Sequence, residues 1–383
     1  MLFRSSARLL VPLCCRTHLH NELLRERNQD RVLRGVLRGF GAISGRVGTP
    51  LKNLPDRAKT ISHTWLSSLL QRLLDVVGLG MERYPADMAD FMDMFATEEA
   101  CREYLRLVRW SAGYACGRCG SGSHWKRDRG LMICRDCGYE ACVISGTLFQ
   151  DTHKPLRLWL QAIWYVVNQK NGVSALGLQK ALGLGSYQTA WEWLHKLRRA
   201  MVRPHRDKLS GLVEVDEAFV GAEHPGKRGR GAEGKSLIFI AAEEAQGRIG
   251  RIRLSMLDNA SGASLTKAVV EAIEPGSKVR SDGWDGYNAL PRHGYVHIPV
   301  LHKDAASGDA TPLAHLVASL FKRWWLGTHQ GAIRPIHLPY YLDEFTFRFN
   351  QRTSRSRGKL FYRLVAQSLQ IDPVPAKTFK HNI

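Results

Sequence analysis

The sequence predicts a multidomain α+β protein in which a helical front half precedes a back half of strands and helices built on a mixed sheet. Three observations predict this fold class. Two Cys-x-x-Cys pairs lie close together near residue 120, apolar residues recur at helical spacing between residues 154 and 201, and strand-like runs begin after Pro204. With 383 residues, of which 44% are hydrophobic, the chain is long enough for two or three domains with cores of their own.

The charge balance limits what the protein can bind. The chain has 55 Lys and Arg residues against 35 Asp and Glu residues, a formal net charge of +20. A folded chain this basic is predicted to bind a polyanion, most simply nucleic acid. No stretch reaches the roughly 18–20 uncharged apolar residues of a membrane-spanning helix, which excludes an integral membrane protein. The eight cysteines are too sparse for a small disulfide scaffold, so we expect the reducing cytoplasm.

Residues 1–80 differ from the rest of the chain. They contain thirteen Lys and Arg residues against five Asp and Glu residues, with little periodicity. We interpret them as a basic extension that is disordered or lies upstream of a true start at Met81. The alternative is a transit peptide, which the Arg- and Ser-bearing first twenty residues superficially resemble. Residues 81–112 are predicted to form a helical lead-in, in which Thr97 caps a helix.

The two cysteine pairs predict a metal site within residues 113–145. Cys116 and Cys119 form one pair, Cys134 and Cys137 form the other, and fourteen residues separate the pairs. Each pair can present two thiolates from one tight turn, and a glycine follows each pair. Two such turns complete the tetrahedron that Zn²⁺ prefers. Because all four ligands are thiols, no position is left for water, and the sequence predicts a zinc ribbon with a structural zinc ion.

Three short helices predicted within residues 150–205 suggest a helix-turn-helix, because a Gly-rich turn at 183–185 precedes the last helix. Ser186 is predicted to cap that third helix, which we interpret as the recognition helix. Its polar and basic residues are candidates for contacts with base edges and phosphates: Gln188, Lys196, Arg198 and Arg199. A plain three-helix connector would show the same pattern, but the neighbouring zinc ribbon and the net charge favour DNA binding.

The strand predicted over Leu212–Val220 carries acids among its β-branched residues. Alternation places Glu214 and Asp216 on one face. Acids in a central strand are costly unless they are paired or bind a cation. Asp282 follows another short strand, and two carboxylates from neighbouring strands can share divalent metal ions in the arrangement that phosphoryl transfer uses. Hard oxygen ligands of this kind favour Mg²⁺ or Mn²⁺.

From Met81 to about residue 365 the chain resembles the insertion-sequence transposases of the zinc-ribbon, ISXO-like group. The matching stretches are 116–137, 146–149, 187–191, 194–201, 213–221, 281–287, 325–331 and 341–350. The resemblance implies a ribonuclease-H-like catalytic domain of the DDE class over residues 206–352. It also implies a bacterial, nucleoid-associated protein, and it assigns Asp216 and Asp282 as the first and second catalytic aspartates.

The third catalytic position departs from the pattern that the resemblance implies. That pattern has a third ligand, often Glu, followed by a Lys on a late helix, which the sequence predicts here over residues 312–326. We assign the ligand to His315, which lies 33 residues after Asp282, and we assign Lys322, on the same helical face, to phosphate or substrate DNA. A second alignment places the third ligand at Leu320, which cannot bind metal, and the site would then lack a member.

Taken together, these observations predict a DNA transposase. It would bind the terminal inverted repeats of an insertion sequence, cut at the element ends and join the freed 3′ hydroxyl to target DNA, using Mg²⁺ or Mn²⁺. The expected partners are element ends and target DNA, with a homo-oligomer that pairs two ends. The alternative is a catalytically inactive or domesticated DNA-binding protein derived from such a transposase. The basic segments at 226–230 and 353–383, the second predicted to be a C-terminal tail, are either DNA-backbone contacts or solvated charge.

Overall fold

The computed structural model describes residues 83–127, 130–203, 206–221, 235–304, 308–331 and 333–375. All of them belong to one compact unit of the chain, Gly80–Ile383. The predicted extension at 1–80 and the basic segment at 226–230 lie outside the described residues. Within these ranges, no helix is long and apolar enough to cross a membrane.

The described residues contain both helices and strands, numbered in chain order. The α-helices are α1 (Met88–Met94), α2 (Glu98–Arg109), α3 (Leu156–Asn168), α4 (Ala175–Leu182), α5 (Tyr187–Ala200), α6 (Gly262–Ala272), α7 (Pro312–His329), α8 (Leu338–Asn350) and α9 (Arg357–Ser368). The strands are β1 (His124–Lys126), β2 (Met132–Cys134), β3 (Glu140–Ala141), β4 (Leu212–Val220), β5 (Ser236–Ala245), β6 (Arg248–Leu257), β7 (Lys278–Asp282) and β8 (Val296–Val300).

Helices α1 to α5 pack around one apolar core, as the helical spacing of the front half predicts. Helix α2 begins at the predicted cap, Thr97, whose hydroxyl accepts a hydrogen bond from the Ala100 amide at 3.2 Å. Helix α5 begins at the predicted cap Ser186. In the core, the indole rings of Trp159 in α3 and Trp193 in α5 stack with their centroids 3.7 Å apart.

The C-terminal segment differs from its prediction as a basic tail. It contains α9, whose Leu360, Phe361, Leu364 and Val365 are buried in the same core as α1 to α5. The Phe361 ring centroid lies 5.7 Å from that of Phe91 in α1. Helix α9 therefore closes the front core. The apolar residues of α9 recur at helical spacing. The prediction of a tail was based instead on the arginines and the lysine that lie between them.

The back half is a five-stranded mixed sheet with the strand order β6-β5-β4-β7-β8. Central strand β4 pairs antiparallel with β5 and parallel with β7, β5 pairs antiparallel with β6, and β8 pairs parallel with β7. Three antiparallel strands followed across the sheet by two parallel strands are the order of a ribonuclease-H-like domain. The predicted fold class, with a zinc ribbon, a helix-turn-helix and this mixed sheet, is confirmed.

Helices cover both faces of the sheet. Ala218 and Val220 of β4 face α7 and α8, whereas Val213 and Val215 face α6. This is the alternation that the sequence predicts for β4, and it turns the acids Glu214 and Asp216 toward α7. Strand β4 is thus covered on both faces. An acid on it is expected either to pair with another polar group or to belong to a functional site.

Several element bounds differ from the sequence prediction. The sequence indicates strands over 237–242 and 251–256. In the structure both are longer, as β5 and β6, because they form one long hairpin at the edge of the sheet. Strand β8, which contains Pro299, carries no clear alternation and was not predicted. Helix α7 continues three residues past 326 and ends at Gln330, whose φ of 52° places it in the left-handed region.

Candidate functional site

The four predicted cysteines come together in one cluster. One ligand atom from each of Cys116, Cys119, Cys134 and Cys137 lies within 4.8 Å of all the others. The Sγ atoms of Cys116 and Cys137 are 3.6 Å apart, and those of Cys119 and Cys134 are 3.5 Å apart. Sulfur atoms at these separations fit a tetrahedral Zn²⁺ ion with Zn–S bonds near ~2.3 Å.

The chain turns tightly at both cysteine pairs, as their spacing predicts. The amides of Gly120 and Gly138 donate to the carbonyls of Cys116 and Cys134 at 2.9 and 3.1 Å. Both glycines have a positive φ, +74° and +67°, which a residue with a side chain rarely adopts. Backbone amides that point at the Cys116 sulfur lower the pKa of its thiol to about 6, which favours the thiolate that a metal requires.

A second cluster lies between β4 and α7, where Asp216, His315 and Asp309 form a hydrogen-bonded chain. Nε2 of His315 is 3.0 Å from Oδ2 of Asp216, and Nδ1 of His315 is 2.7 Å from Oδ1 of Asp309. Burial lowers the pKa of His315, but the Asp309 hydrogen bond and the Asp216 charge outweigh burial and raise it. Burial raises the pKa of Asp216, and the charges of Asp282 and Asp309 add to that rise.

Glu214 fixes the position of α7 against the sheet. Its side chain is 1% exposed, and its Oε2 accepts hydrogen bonds from the amides of Leu313 and Ala314 at 2.7 and 3.3 Å. Its Oε1 accepts from Nη1 of Arg280 on β7 at 3.1 Å. A carboxylate is stabilised at a helix N-terminus, where the first amides have no partner within the helix. Glu214 therefore holds the first turn of α7 beside β4 and β7.

Asp309 was not predicted, although its position in the sequence gives a signal. It precedes the N-cap of α7, Thr311, by two residues, and its Oδ1 accepts a hydrogen bond from the Thr311 amide at 3.1 Å. Thr311 is the N-cap residue of α7 but makes no side-chain cap, because Glu214 of β4 takes that role. Together, Glu214 and Asp309 place His315 beside Asp216.

Asp282 ends strand β7, next to β4 in the sheet. Glu214 and Arg280 form the last register pair of these two parallel strands, and Asp216 and Asp282 each follow two residues later. Oδ1 of Asp282 accepts a hydrogen bond from the Trp284 amide at 3.2 Å. The sheet thus brings the two predicted aspartates, 216 and 282, to neighbouring strands.

Asp216, Asp282, His315 and Asp309 are here called the acid site, and their donor atoms suit a divalent cation. One ring nitrogen of His315 is held by the Asp309 carboxylate and the other faces Asp216, which is how metal-ligating histidines are oriented. The carboxylates of Asp216 and Asp282 are hard oxygen ligands suited to Mg²⁺ or Mn²⁺. In the described part of the chain, only the four cysteines form a group of three or more potential ligands within 4.8 Å of one another. The ligand atoms of Asp216, Asp282 and His315 therefore lie further apart than the four thiols do.

Two other residues of the predicted site lie on α7. Lys322 is exposed, two helical turns after His315. Leu320, the third ligand in the second alignment, packs against the apolar core between the sheet, α7 and α8. That alignment would thus assign the role of metal ligand to an apolar residue that packs against the core.

The residues predicted to read DNA divide into two groups. Arg198 is buried: its Nε donates to Oε2 of Glu344 at 2.7 Å, and its guanidinium lies over the Tyr341 ring at 4.0 Å from the centroid. The prediction that Arg198 contacts DNA is therefore wrong, because its buried guanidinium forms an ion pair with Glu344 between α5 and α8. The other three candidates reach solvent, with Gln188 and Lys196 half-buried and Arg199 exposed.

Comparison with known proteins agrees with both clusters. Residues 96–140 match the transposase zinc-ribbon domain, and residues 208–350 match the ISXO2-like transposase domain. The chain therefore carries a transposase zinc-ribbon domain followed by an ISXO2-like transposase domain. An uncharacterized protein in transposable element ISH50 of Halobacterium salinarum is 26% identical over 292 residues, which are 69% of this transposase and 94% of that protein.

Two solved structures of the Mos1 transposase are also similar to this transposase. They are a paired-end complex with the left transposon end and a pre-cleavage transpososome, 13% and 11% identical. Each match covers 58% of this chain and 79% of the Mos1 chain, with a TM-score of 0.25. Because that score is low, the assignment of the fold rests on the strand order of the sheet.

Proposed function

We propose that this transposase binds the terminal inverted repeats of an insertion sequence and catalyses metal-dependent DNA cleavage and strand transfer. One observation carries the proposal. Asp216 on the central strand lies 3.0 Å from His315, Asp309 holds the His315 ring at 2.7 Å, and Asp282 lies on the parallel neighbour of the central strand. A carboxylate whose pKa is raised, first by burial and then by neighbouring acids, is a candidate for a functional site.

Each residue of the acid site has a role in the proposal. Asp216, Asp282 and His315 would hold the metal ions. Bound Mg²⁺ or Mn²⁺ would supply activation of the attacking water or 3′ hydroxyl and stabilisation of the leaving oxygen. Asp309 orients the imidazole of His315 by accepting its Nδ1–H, and exposed Lys322 would contact a phosphate of the substrate.

We also propose that the cysteine cluster binds one structural Zn²⁺ ion. A closed four-thiolate site contributes folding energy directly. Cys119→Ser should therefore release zinc and destabilise residues 113–145, while the sheet that carries Asp216 stays folded. Cys142→Ser is the matched control, since Cys142 lies outside the cluster and contacts Ser145 instead. If the purified protein contains no stoichiometric zinc, the proposed zinc site is wrong.

DNA is the proposed partner, and the first turns of α5 are the proposed reader. Tyr187 is 53% exposed and Gln188 is half-buried, as at the N-terminal end of a recognition helix. Lys196 and Arg199, further along, would contact phosphates. Because an insertion sequence has two ends that must be cut and joined together, we expect a homo-oligomer on paired ends, and we expect it to act on the nucleoid.

Cleavage of DNA that carries the inverted repeats flanking the gene tests the proposal. The parent protein should cut these ends in Mn²⁺ or Mg²⁺, and Asp216→Asn should bind them without cutting. Glu271→Gln, an exposed acid-to-amide change on α6, is the matched control and should cut as the parent does.

A parent protein that binds the ends but never cuts them would support the alternative, a DNA-binding protein derived from a transposase. One observation favours that reading: the third position carries a histidine, and both of its ring nitrogens already contact carboxylates. A parent protein that binds no DNA at all would contradict both functions.

A further inference from the structure

A cleft of about 410 Å³ lies at the edge of the sheet, where the end of α5 continues toward β4. Helices α8 and α9 and edge strand β6 form its other walls. Four arginines line it, Arg203, Arg206, Arg253 and Arg363, together with a single acid, Asp343. Its remaining polar walls include the side-chain amides of Gln351, Gln367 and Gln370. The function proposed above does not use this cleft.

Two of these arginines, Arg206 and Arg253, keep part of their charge unbalanced, because carboxylates act on them only without direct contact. Arg253 is 8% exposed, and its guanidinium donates only to backbone carbonyls, that of Asp207 at 2.7 Å and that of Ile252 at 2.9 Å. Among the described residues, no carboxylate lies within ion-pair distance of Arg206 or Arg253, although nearby Arg203 pairs with Asp207 at 3.0 Å. Buried charge without a partner is costly, and a bound anion would offset that cost.

The pKa shifts of Arg253 and Asp343 also indicate an excess of positive charge in the cleft. Burial, together with the charges of Arg206 and Arg251, lowers the pKa of Arg253 to about 10. Burial also raises the pKa of Asp343 to about 7, although the charge of Arg206 opposes that rise. The one acid in the cleft is therefore partly protonated near neutral pH, while its arginines keep their charge. The cleft has an excess of positive charge that is focused by its walls.

We propose that this cleft binds the phosphodiester backbone of DNA, at a site distinct from the acid site and from the first turns of α5. Guanidinium groups match phosphate oxygens with paired hydrogen bonds, and the lining amides can complete the contacts. The cleft lies at the seam between the helix-turn-helix and the sheet, so DNA that leaves α5 toward the sheet would pass it. The inference rests on the DNA partner proposed above but not on catalysis.

The salt dependence of binding tests the cleft in the full chain. The double variant Arg206→Gln and Arg363→Gln removes two charges that are not buried in the core. Binding to a non-specific 30-base-pair duplex should weaken about tenfold near 0.1 M salt, and the log–log salt slope should shrink by about 0.9 for each phosphate that the variant no longer neutralises. Asp343→Asn removes the opposing charge and should tighten binding instead. Arg292→Gln, an exposed arginine beyond β7 at the other end of the sheet, should change the slope little.

Each outcome separates the cleft from the proposed function. No DNA binding by the parent protein would sink the proposed function itself. Parent-like binding with unchanged slopes in the double variant and in Asp343→Asn would overturn the cleft alone. Inorganic phosphate and pyrophosphate form a second arm. If either one binds the parent protein at low millimolar concentration while the parent and the double variant bind DNA alike, the cleft is a site for small phosphates, and the DNA proposal fails.

Discussion

Two charge networks flank the five-stranded sheet, and they differ in how completely the protein closes them. In the first, Glu344 of α8 is 1% exposed and accepts hydrogen bonds from Nε of Arg198 at 2.7 Å and from Nε of Arg348 at 2.8 Å. In the second, Asp216 is bridged to Asp309 by His315, whose side chain is 45% exposed. The first network is sealed inside the protein, whereas the second opens to solvent.

The pKa directions show what this difference means. Burial tends to raise the pKa of Glu344, but the two arginines outweigh burial and lower the pKa to about 2. For Asp216 the balance is reversed, because burial and two neighbouring acids raise the pKa more than His315 lowers it. The closed network surrounds one carboxylate with two guanidinium groups, so Glu344 keeps its charge inside the protein. The open network keeps an excess of negative charge, which is what a cation site requires.

The closed network also has a structural role in placing the DNA reader. Arg348 donates to the carbonyl of Gln169 at 2.7 Å and to that of Val166 at 3.2 Å, at the end of α3, while Arg198 belongs to α5. Glu344 on α8 thus ties two helices of the front core to the transposase domain. We infer that it fixes the orientation of α5 relative to the acid site.

The largest expected effect is on the closed network. Glu344→Gln leaves two buried guanidinium groups without a carboxylate, so the free energy of unfolding should fall by about 3–5 kcal/mol. Chemical denaturation followed by circular dichroism measures it. Glu140→Gln breaks the exposed pair with Arg127 and should leave the unfolding curve unchanged. A loss below about 1 kcal/mol for Glu344→Gln would mean that the network is not closed in solution.

A second prediction uses pH to isolate the same carboxylate. The pKa of Glu344 is near 4.5 in the unfolded chain and about 2 in the folded protein. Its contribution, of order 3 kcal/mol, is therefore fully present above pH 4.5 and is lost as pH falls toward 2. The difference in unfolding free energy between the parent and Glu344→Gln should shrink as pH falls from 5 to 3. A difference independent of pH in that window would contradict the lowered pKa.

The same acid-to-amide change in the open network should act in the opposite way on stability. Because burial raises the pKa of Asp216, its charge opposes folding above the usual pKa, and Asp216→Asn should leave the metal-free protein as stable as the parent or slightly more stable. Thermal unfolding in a chelator measures it. A loss comparable to that of Glu344→Gln would show that Asp216 belongs to a structural ion pair, which would weaken the case for a metal site.

The sequence predicted the parts of the molecule that depend on local patterns. The cysteine spacing, the caps Thr97 and Ser186 and the alternation along β4 each involve a few neighbouring residues, and each is present in the structure. Asp216 and Asp282 were placed near each other because their strands are adjacent in the sheet that the resemblance implies. These inferences require no knowledge of how distant helices pack.

What the sequence did not predict depends on contacts between distant segments. Arg198 occupies a position in α5 that a helical pattern assigns to the solvent, but Glu344, far along the chain, draws it into the interior. Helix α7 is capped by Glu214 from β4 and not by its own Thr311. Such partners depend on how distant segments of the chain pack. The same is true of α9, which was predicted as part of a basic tail from its charged residues although it packs into the front core.

The smallest expected effect on stability, and the sharpest test of the open network, is at His315. The imidazole is about half exposed, so its removal should change the unfolding free energy by no more than about 1 kcal/mol. Because the folded-state pKa of His315 is raised above 6.5, its stabilising charge is present below pH 6.5 and is lost as pH rises through the raised value.

The effect of His315 on cleavage should be larger than its effect on stability. A neutral imidazole is a softer ligand than a carboxylate and brings no negative charge, so the parent should prefer Mn²⁺ to Mg²⁺. His315→Glu should keep or raise Mg²⁺-supported cleavage, and His315→Ala should abolish cleavage while end DNA still binds. Asp309→Asn keeps an oxygen acceptor for Nδ1 and should cost only a few-fold. If His315→Ala cuts as well as the parent, His315 only bridges two acids, and the third ligand must be sought elsewhere, first at Asp285.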